Sequence, residues 1–496
     1  MAKPLNVLFL SSEVEPFAKT GGLADVSGAL PQSLKHLGHD VRVMMPRYAT
    51  INEHHGPLSP VPGIGETTVP VGTSQMTAGL VSSVIPNHGS PVPVYFLSNP
   101  HLFGRKGIYA DPETKKDYPD NDERFIFFCR GALETARKLR WKPDVIHCND
   151  WPTGLVPAFL KTVYRDDIYY SGTRTDFTIH NMAYQGIFPR TSFGKSLLPA
   201  SELSEEGVEA FGNLNFLKAG LVYADALTTV SEKYAEEIQG SDEFGCGLQE
   251  IARARREDLH GILNGVDYSV WDPSVDTLLP RRYDATTLAG KDENKRALLT
   301  AMGLPYDGST PVIGMISRLA DQKGFDLLRP IFDRLMAMPV QIVVLGTGEE
   351  RYHRMLESAQ RLHPGRLAVR LTFDNALAHM IEAGSDMFLM PSRYEPCGLN
   401  QIYSLRYGTV PVVRATGGLD DTIIDVGEDP AQGTGFKFSP YDSGVLLQAI
   451  TRALRAYDDR PSWLAIMRRG MGRDFSWDAS ARRYADLYRS LSGIPS

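Results

Sequence analysis

The feature that most constrains the fold of this chain is an apolar strand that leads through a glycine pair into an amphipathic helix. The apolar run 7–10 is followed by Lys19, Gly21 and Gly22, and then by leucines and valines spaced three and four residues apart. Because glycine has no Cβ, backbone N–H groups and the positive end of the helix dipole can approach an anion here. The pattern predicts a loop that binds a phosphosugar or a polyanion, although any α/β domain can begin with strand, turn and helix.

The same pattern returns in the second half of the chain. The apolar run 312–316 leads to Arg318, Lys323 and Gly324, after which another amphipathic helix begins. A cation-bearing loop therefore follows the first strand of each half. Two such loops predict an α/β fold with two Rossmann-like, doubly wound domains that face one ligand in a central cleft.

Length, composition and charge are compatible with this organisation. The chain has 496 residues, 42% of them hydrophobic and 22% charged, which suffices for two or three domains with full cores. Its net charge of −7 argues against a nucleic-acid partner. The first residues lack the core of a signal peptide, and no apolar run approaches the roughly 20 residues that span a bilayer. The four cysteines have no CxxC spacing. We therefore expect a cytoplasmic protein without a membrane anchor.

A dinucleotide cofactor is disfavoured. The motif G-x-G-x-x-G is absent, and the predicted strand 41–45 ends in Pro46 and Arg47. A dinucleotide-binding domain would carry an acidic residue near this point to hold the ribose. The sequence therefore does not predict NAD.

Polar side chains follow two further predicted strands of the first half. The segment 145–148 leads to Asp150, and the segment 177–179 leads to His180. In open α/β sheets, ligands bind outside the carboxyl ends of the strands. A lone histidine is more often structural, but polar residues at consecutive strand ends favour a binding or catalytic site.

Six motifs resemble those of the family of bacterial glycogen synthases and plant starch synthases. In chain order they are Lys19-Thr-Gly-Gly-Leu, Ile179-His-Asn-Met-Ala-Tyr-Gln-Gly, Ile262-Leu-Asn-Gly-Val-Asp, Ile316-Ser-Arg-Leu with Gln322-Lys-Gly, Pro391-Ser-Arg-Tyr-Glu-Pro-Cys-Gly-Leu, and Thr416-Gly-Gly-Leu. Each motif is weak alone, but together they are specific and span nearly the whole chain. The resemblance implies a GT-B glycosyltransferase with an acceptor domain over 1–265, a nucleotide-sugar domain over 266–475, and a helix over 476–496 that crosses back to the first domain.

The resemblance also implies an activity and a set of site residues. The activity is transfer of glucose from ADP-glucose to the non-reducing end of an α-1,4-glucan, with retention at the anomeric carbon and without a cofactor. The implied catalytic residues are Glu395, His180, Arg318, Lys323 and Asp150, and the implied substrate-binding residues are Lys19, Gly21, Gly22, Asn264, Thr416, Gly417 and Gly418.

The expected chemistry agrees with these roles. The diphosphate leaving group gains negative charge as the anomeric bond breaks, so Arg318, Lys323 and the helix start at Thr416 can stabilise it without a metal ion. No DxD-type cluster is evident, and we expect activity that survives EDTA. Retention is compatible with a carboxylate nucleophile or with front-face attack. The family resemblance favours Glu395 as a contact to the donor sugar rather than a covalent nucleophile.

Two alternatives stay open at this stage. A related transferase that uses UDP-glucose or another acceptor would keep the same cations. A non-catalytic glucan-binding protein on this fold would be expected to have lost His180, Arg318, Lys323 or Glu395, and all four are present. One departure from many retaining GT-B enzymes is that the second Glu of their motif is replaced by Tyr403, which leaves ribose binding unassigned.

Overall fold

The structure is a computed structural model that describes residues 3–52, 56–85 and 91–493. The outermost residues of the predicted segments 1–265 and 476–496 therefore lie outside the described residues. Within the described part of the chain, no helix has the length and apolar character needed to cross a membrane.

The chain divides into two compact units. The first contains the described residues up to Val230, Ala235–Gly265, and the described residues from Trp477 onwards. The second contains Ser231–Tyr234 and Val266–Ser476. Apart from the short segment at 231–234, the polypeptide leaves the first unit after Gly265 and returns to it at Trp477.

Strands and helices alternate through most of the first unit, as the sequence predicts. The strands are β1 (Asn6–Leu10), β2 (Asp40–Pro46), β3 (Ser59–Pro60), β4 (Thr67–Val71), β5 (Ser74–Ile85), β6 (Val92–Ser98), β7 (Val145–Asn149), β8 (Arg174–Ile179), β9 (Ile187–Phe188), β10 (Glu209–Ala210), β11 (Asn213–Asn215), β12 (Ala226–Thr229) and β13 (Leu259–Gly261). The helices are α1 (Gly22–His36), α2 (Pro100–Phe103), α3 (Asn121–Lys138), α4 (Leu155–Lys161), α5 (Phe193–Ser196), α6 (Phe216–Tyr223), α7 (Glu232–Gly240), α8 (Asp242–Gly245) and α9 (Gln249–Ala254).

The main sheet of the first unit is parallel over most of its width. Its order is β13-β12-β8-β7-β1-β2-β6, and all of these neighbours are parallel. Antiparallel β5 and β3 extend it beyond β6, and β4 pairs with β5. The central strands are apolar and buried because helices cover both faces of a doubly wound sheet.

The second unit is built on a parallel sheet of order β16-β15-β14-β17-β18-β19. Its strands are β14 (Val312–Ile316), β15 (Gln341–Leu345), β16 (Leu367–Arg370), β17 (Met387–Met390), β18 (Val410–Arg414) and β19 (Phe436–Phe438). Its helices are α10 (Ala289–Met302), α11 (Phe325–Leu328), α12 (Phe332–Met336), α13 (Glu350–Leu362), α14 (Asn375–Gly384), α15 (Asn400–Arg406), α16 (Gly417–Thr422), α17 (Ser443–Asp458) and α18 (Arg460–Met471).

One helix predicted from the apolar pattern is interrupted. The residues after Gly324 form α11, a single 3₁₀ turn and then α12 rather than one continuous helix. Pro330 lies in that turn and cannot donate an N–H to the helical ladder. The predicted pair of Rossmann-like domains with parallel sheets is otherwise confirmed.

The last helix, α19 (Trp477–Leu491), is part of the first unit and packs against α1. The Tyr488 hydroxyl lies 2.5 Å from Nδ1 of the buried His147 at the centre of the sheet. The Ser480 hydroxyl donates to the carbonyl of Leu263 at 2.5 Å. The helix therefore completes the core of a unit whose other elements precede it by more than two hundred residues.

Candidate active site

Three neighbouring strands of the first unit end beside predicted site residues. The loop with Lys19 follows β1, Asp150 follows β7, and His180 follows β8. These strands are adjacent and parallel in the order β8-β7-β1, and neighbouring strands lie about 4.8 Å apart. The sheet therefore brings the three segments to one edge, at the carboxyl ends of its strands.

The loop after β1 binds a carboxylate of the protein itself, that of Glu13. The carboxylate of the buried Glu13 accepts hydrogen bonds from the backbone N–H groups of Thr20 at 2.5 Å and Gly21 at 3.1 Å. It also accepts from the Thr20 hydroxyl at 2.7 Å and the Tyr109 hydroxyl at 2.8 Å. These two N–H groups are therefore used within the protein by Glu13.

The glycine pair itself borders open space. Gly22 begins α1, and a Cβ added at Gly21 or Gly22 would meet no atom within 4 Å. The half-exposed Lys19 ammonium donates to the Asp25 carboxylate at 2.6 Å. Lys19 is thus held beside the start of α1 by an ion pair rather than carried as a freely moving charge.

Replacing Glu13 with glutamine should destabilise this loop. Both N–H groups donate to Oε2, so the glutamine oxygen would have to stay there, without the negative charge. The NH₂ group would then replace Oε1, which accepts from the hydroxyls of Thr20 and Tyr109. We expect a loss of roughly 1.5–3 kcal/mol in the free energy of unfolding, as for hydrogen bonds to a charged group. Denaturant unfolding of Glu13→Gln measures this loss. Glu15→Gln is the matched control, since Glu15 is half-exposed and its carboxylate lies 4.0 Å from Lys19. Equal unfolding of the two variants would contradict the assignment.

Asp150 is locked in an unusual backbone conformation at the end of β7. Its φ of 54° with ψ of −178° is rare for a residue with a side chain. Its Oδ1 accepts the backbone N–H of His180 at 2.7 Å, which ties the ends of β7 and β8 together. Burial raises the pKa of Asp150 to about 7, while hydrogen bonds from the backbone of His180 and Asn181 oppose that rise.

His180 is a neutral imidazole with a defined tautomer. Its Nε2 lies 2.9 Å from Oδ1 of Asn149, whose amide NH₂ donates to the carbonyl of Leu10 at 3.0 Å. Since the Asn149 oxygen can only accept, Nε2 carries the proton and Nδ1 is left as an acceptor. Burial lowers the pKa of His180 to about 3, so the ring brings no positive charge to the site.

The shifted pKa of Asp150 predicts a pH-dependent stability. Because the folded-state pKa is raised from 3.8 to about 7, the folded protein keeps a proton that the unfolded chain releases. This contribution to stability is complete below pH 4 and is lost as the pH rises through 7. Asp150→Asn should therefore raise the Tm relative to the native protein above pH 7, and the difference should shrink towards pH 4. A Tm difference that is independent of pH would contradict the assignment.

Asn264 follows β13 and presents an unsatisfied polar atom. The residue is buried, and its Oδ1 has no hydrogen-bond partner among the described residues. Buried amide oxygens are rarely left without a hydrogen-bond partner in folded proteins. This geometry fits the role in substrate binding that the family resemblance implies for Asn264.

The second unit repeats the arrangement of strand ends. Arg318 and Lys323 follow β14, Glu395 follows β17, and Thr416 with Gly417 follows β18. These strands are adjacent and parallel in the order β14-β17-β18. The predicted donor residues of this unit therefore converge at the carboxyl edge of its sheet.

The Lys323 ammonium and the Glu395 carboxylate form a direct ion pair. Nζ of Lys323 lies 2.6 Å from Oε2 of Glu395, which also accepts from the Ser392 hydroxyl at 3.0 Å. The two charged side chains are 17% and 8% exposed, so the pair is largely shielded from water. No hydrogen bond to the other carboxylate oxygen, Oε1, is found within the described chain.

Arg318 is exposed, and its positive charge is not paired with a carboxylate of the described residues. One guanidinium nitrogen donates to Oε1 of Gln322 at 3.0 Å. Among the residues that the structure describes, no carboxylate lies within ion-pair distance of Arg318. An arginine without an acidic partner can present a planar pair of donors to a phosphate group.

The glycine pair after β18 has a packing role that its counterpart after β1 lacks. A Cβ at Gly417 would lie 2.0 Å from the carbonyl oxygen of Glu395, and one at Gly418 would lie 2.0 Å from that of Cys397. The N–H of Gly418 donates to the Glu395 carbonyl at 3.1 Å. This donor is thus used within the protein.

Two residues that carry no motif were missed from the sequence. Phe373 follows β16, at this edge of the second sheet, and is 85% exposed, which is unusual for an aromatic ring. The only feature of the sequence that could have indicated Phe373 is its position between a strand and Asp374, the N-cap of α14. Glu13, in the first unit, is the other missed residue.

Tyr403, which stands in place of an acidic residue, is part of an aromatic stack. The Trp271 ring lies between the ring of Tyr403 at 3.9 Å and that of His379 at 3.8 Å, nearly parallel to both. Tyr403 therefore packs within the unit and leaves the ribose contact without a candidate. In the described chain, no group of three or more His, Cys, Asp or Glu side chains is arranged to hold a metal ion.

Comparison with known proteins identifies the class of this enzyme. The family described as starch synthase catalytic domain matches residues 6–254, and the family of glycosyl transferases group 1 matches residues 304–465. The catalytic domain of starch synthase IV from Arabidopsis thaliana, bound to ADP and acarbose, superimposes with a TM-score of 0.88 at 31% identity, over 99% of this chain and 100% of that one. Sucrose-phosphate synthase from Thermosynechococcus elongatus shares the fold, with a TM-score of 0.58 at 18% identity. The fold is that of a GT-B glycosyltransferase.

Curated relatives extend over the full length. Glycogen synthase of Anaeromyxobacter sp. is 48% identical over 98% of this chain and 100% of its own length. Glycogen synthase 2 of Geobacter sulfurreducens is 44% identical over 98% of both chains. The chain belongs to the glycogen and starch synthase family and is a glucosyltransferase.

Proposed function

We propose that the protein transfers glucose from ADP-glucose to the non-reducing end of an α-1,4-glucan, with retention and release of ADP. The observation that carries this proposal is the shielded Lys323–Glu395 pair on the same sheet edge as Arg318, whose guanidinium has no carboxylate partner among the described residues. Cations and a carboxylate at the carboxyl edge of one sheet suit a substrate that separates into an anionic diphosphate and a cationic sugar ring.

The second unit provides the donor site in this proposal. Arg318 and Lys323 bind the diphosphate and stabilise the charge that develops on it in the transition state. Glu395 faces the glucose, where its carboxylate stabilises positive charge on the ring. Thr416, Gly417 and Gly418 hold the backbone of Glu395 in position, as the contacts of Gly417 and Gly418 support.

The first unit contributes the acceptor side and contacts to the transferred glucose. The neutral His180 can accept a hydrogen bond from a sugar hydroxyl at Nδ1, and it adds no positive charge beside the cationic sugar ring. Asp150 contacts the sugar or the acceptor, and Asn264 offers its unsatisfied amide oxygen. Lys19, Gly21 and Gly22 stay predicted donor contacts, for which the open space before α1 gives room.

Adenine recognition is assigned to Phe373. A strongly exposed aromatic ring on the donor edge of the sheet offers a stacking surface for a base. Stacking favours a purine by its larger area, so Phe373 supports ADP-glucose over UDP-glucose. A cytoplasmic location and the lack of nucleic-acid and membrane partners stay predictions from composition.

Release of nucleoside diphosphate tests this function. The purified protein is incubated with glycogen and with either ADP-glucose or UDP-glucose at equal concentration. ADP release that depends on glycogen is the expected result, and it should persist in EDTA. Preference for UDP-glucose would overturn the donor assignment, and release without glycogen would overturn the acceptor assignment.

A variant separates base recognition from chemistry. Phe373→Ala should raise KM for ADP-glucose roughly 5- to 150-fold, since a stacked base contributes about 1–3 kcal/mol, and should leave kcat nearly unchanged. Leu362→Ala is the control, because Leu362 is another strongly exposed apolar residue of this unit, at the end of α13. An equal KM in both variants would remove Phe373 from the donor site.

A further inference from the structure

A cavity of about 520 Å³ lies within the second unit, away from the predicted donor residues. Gly308 and Ser309 line it just before β14 begins, and Asp386 lines it just before β17 begins. The cavity is therefore at the amino edge of the parallel sheet, whereas Arg318 and Glu395 follow the carboxyl ends of the same two strands. A ligand here would not occupy the donor site.

Residues of two helices, α10 and α18, line this cavity. Residues spaced three, four and seven positions apart lie on the same side of a helix. Most lining residues follow that spacing: from α10 and the residue before it they are Leu288, Ala289, Lys291, Asp292 and Lys295, and from α18 they are Arg460, Leu464, Met467 and Arg468. The walls thus combine an apolar surface with four cations.

The two lysines are fixed at the inner end of the cavity. Lys295 donates to the Asp386 carboxylate and to the carbonyl of Thr310, each at 2.8 Å. Lys291 donates to the Thr409 hydroxyl at 2.6 Å and to the carbonyl of Ala383 at 2.9 Å. Both ammonium groups are therefore held in place without a ligand.

The two arginines are not neutralised. Among the residues that the structure describes, neither Arg460 nor Arg468 has a carboxylate within ion-pair distance, and Arg468 reaches only the carbonyl of Ala285 at 3.4 Å. The acidic members of the lining, Asp386 and Asp292, are already bonded to Lys295 and to the Tyr306 hydroxyl. The lining therefore carries surplus positive charge.

Burial is the main influence on the ionisation of Lys291. It lowers the pKa of Lys291 to about 7, with smaller lowering effects from the charges of Lys295 and Arg460, whereas Asp386 and Glu382 act to raise it. A dianion bound in the cavity would favour the charged ammonium.

We propose that this cavity is a second ligand site, which binds a small organic phosphate monoester. Guanidinium groups match the geometry of phosphate oxygens, and Arg460 and Arg468 are available for them. The apolar side chains of Leu464 and Met467 suit the organic part of the ligand. The volume falls within the 300–1,000 Å³ that is typical of small-molecule sites.

Calorimetric titration of the full chain tests this proposal. Saturating ADP first fills the donor site, and glycerol 2-phosphate or inorganic phosphate is then added. We expect the ester to bind in the presence of ADP and more tightly than free phosphate. Arg460→Gln with Arg468→Gln should weaken binding at least roughly tenfold. The matched control is Arg455→Gln with Arg361→Gln, two exposed arginines outside the cavity.

A second variant keeps the test decisive if the arginine variant does not fold. Ser309→Trp fills the mouth of the cavity from an exposed loop without removing a charge, and should abolish binding. No binding in the presence of ADP, or unchanged binding in either cavity variant, would overturn the proposal. Equal affinity for free phosphate and the ester would overturn the assignment to an organic monoester. None of these outcomes depends on transferase activity.

Discussion

Glu395→Gln is expected to lower kcat by roughly 10²–10³-fold, the usual effect of removing one preorganised electrostatic group from a transition state. The glutamine oxygen can still accept from Lys323 and from Ser392, so the local structure should be retained. What is lost is the negative charge that would stabilise a cationic sugar ring. Initial rates of ADP release at saturating ADP-glucose measure the effect.

A variant of Lys323, the ion-pair partner of Glu395, tests the same role in catalysis. Lys323→Met should also lower turnover strongly, because it removes a cation from the leaving group and leaves a shielded carboxylate unpaired. Since the two groups are in contact, the effects should not add in the double variant. Glu428→Gln is the control, because Glu428 is an exposed glutamate of the same unit. A loss below tenfold in Glu395→Gln would remove Glu395 from the chemistry.

Gly417→Ala is expected to reduce activity about 10²-fold and to lower the Tm. The added Cβ would lie 2.0 Å from the carbonyl oxygen of Glu395, and the φ of 44° is itself strained for alanine. The backbone of Glu395 must then move, and a displacement near 1 Å at a reacting group can cost that factor.

The other glycine pair supplies the comparison for this variant. Gly22→Ala, at the start of α1, adds a methyl group that meets no atom within 4 Å. Its Tm should stay near that of the native protein, whereas that of Gly417→Ala should fall by several degrees. Wild-type turnover in Gly417→Ala would contradict the packing role given to this glycine.

The positions of the strand ends could be predicted from the sequence. Short apolar runs followed by polar residues locate Asp150, His180 and Glu395 at carboxyl ends, because parallel strands are buried on both faces and read as continuous apolar segments. The rule that ligands bind at those ends then selects the candidate residues. This part of the argument depends only on local pattern and holds in both units.

The acceptor that each backbone N–H group of the glycine pairs binds could not be predicted from the sequence. The two glycine pairs look alike in sequence, but the N–H of Gly21 binds Glu13 and the N–H of Gly418 binds the carbonyl of Glu395. Glu13 reads as an ordinary residue of a loop, since nothing local indicates that its carboxylate turns back onto Thr20. The stack of Trp271 on Tyr403 likewise joins residues that are distant in the chain.

The closing position of α19 has a consequence for how the protein is made. During translation, residues 3–265 emerge long before the segment that carries Ser480 and Tyr488. Until that segment leaves the ribosome, His147 lacks the hydroxyl that it contacts in the finished protein, and α1 lacks the helix that covers it. The first unit to be synthesised is therefore the last to be completed, and a nascent chain stalled within the second unit would expose an apolar flank to chaperones.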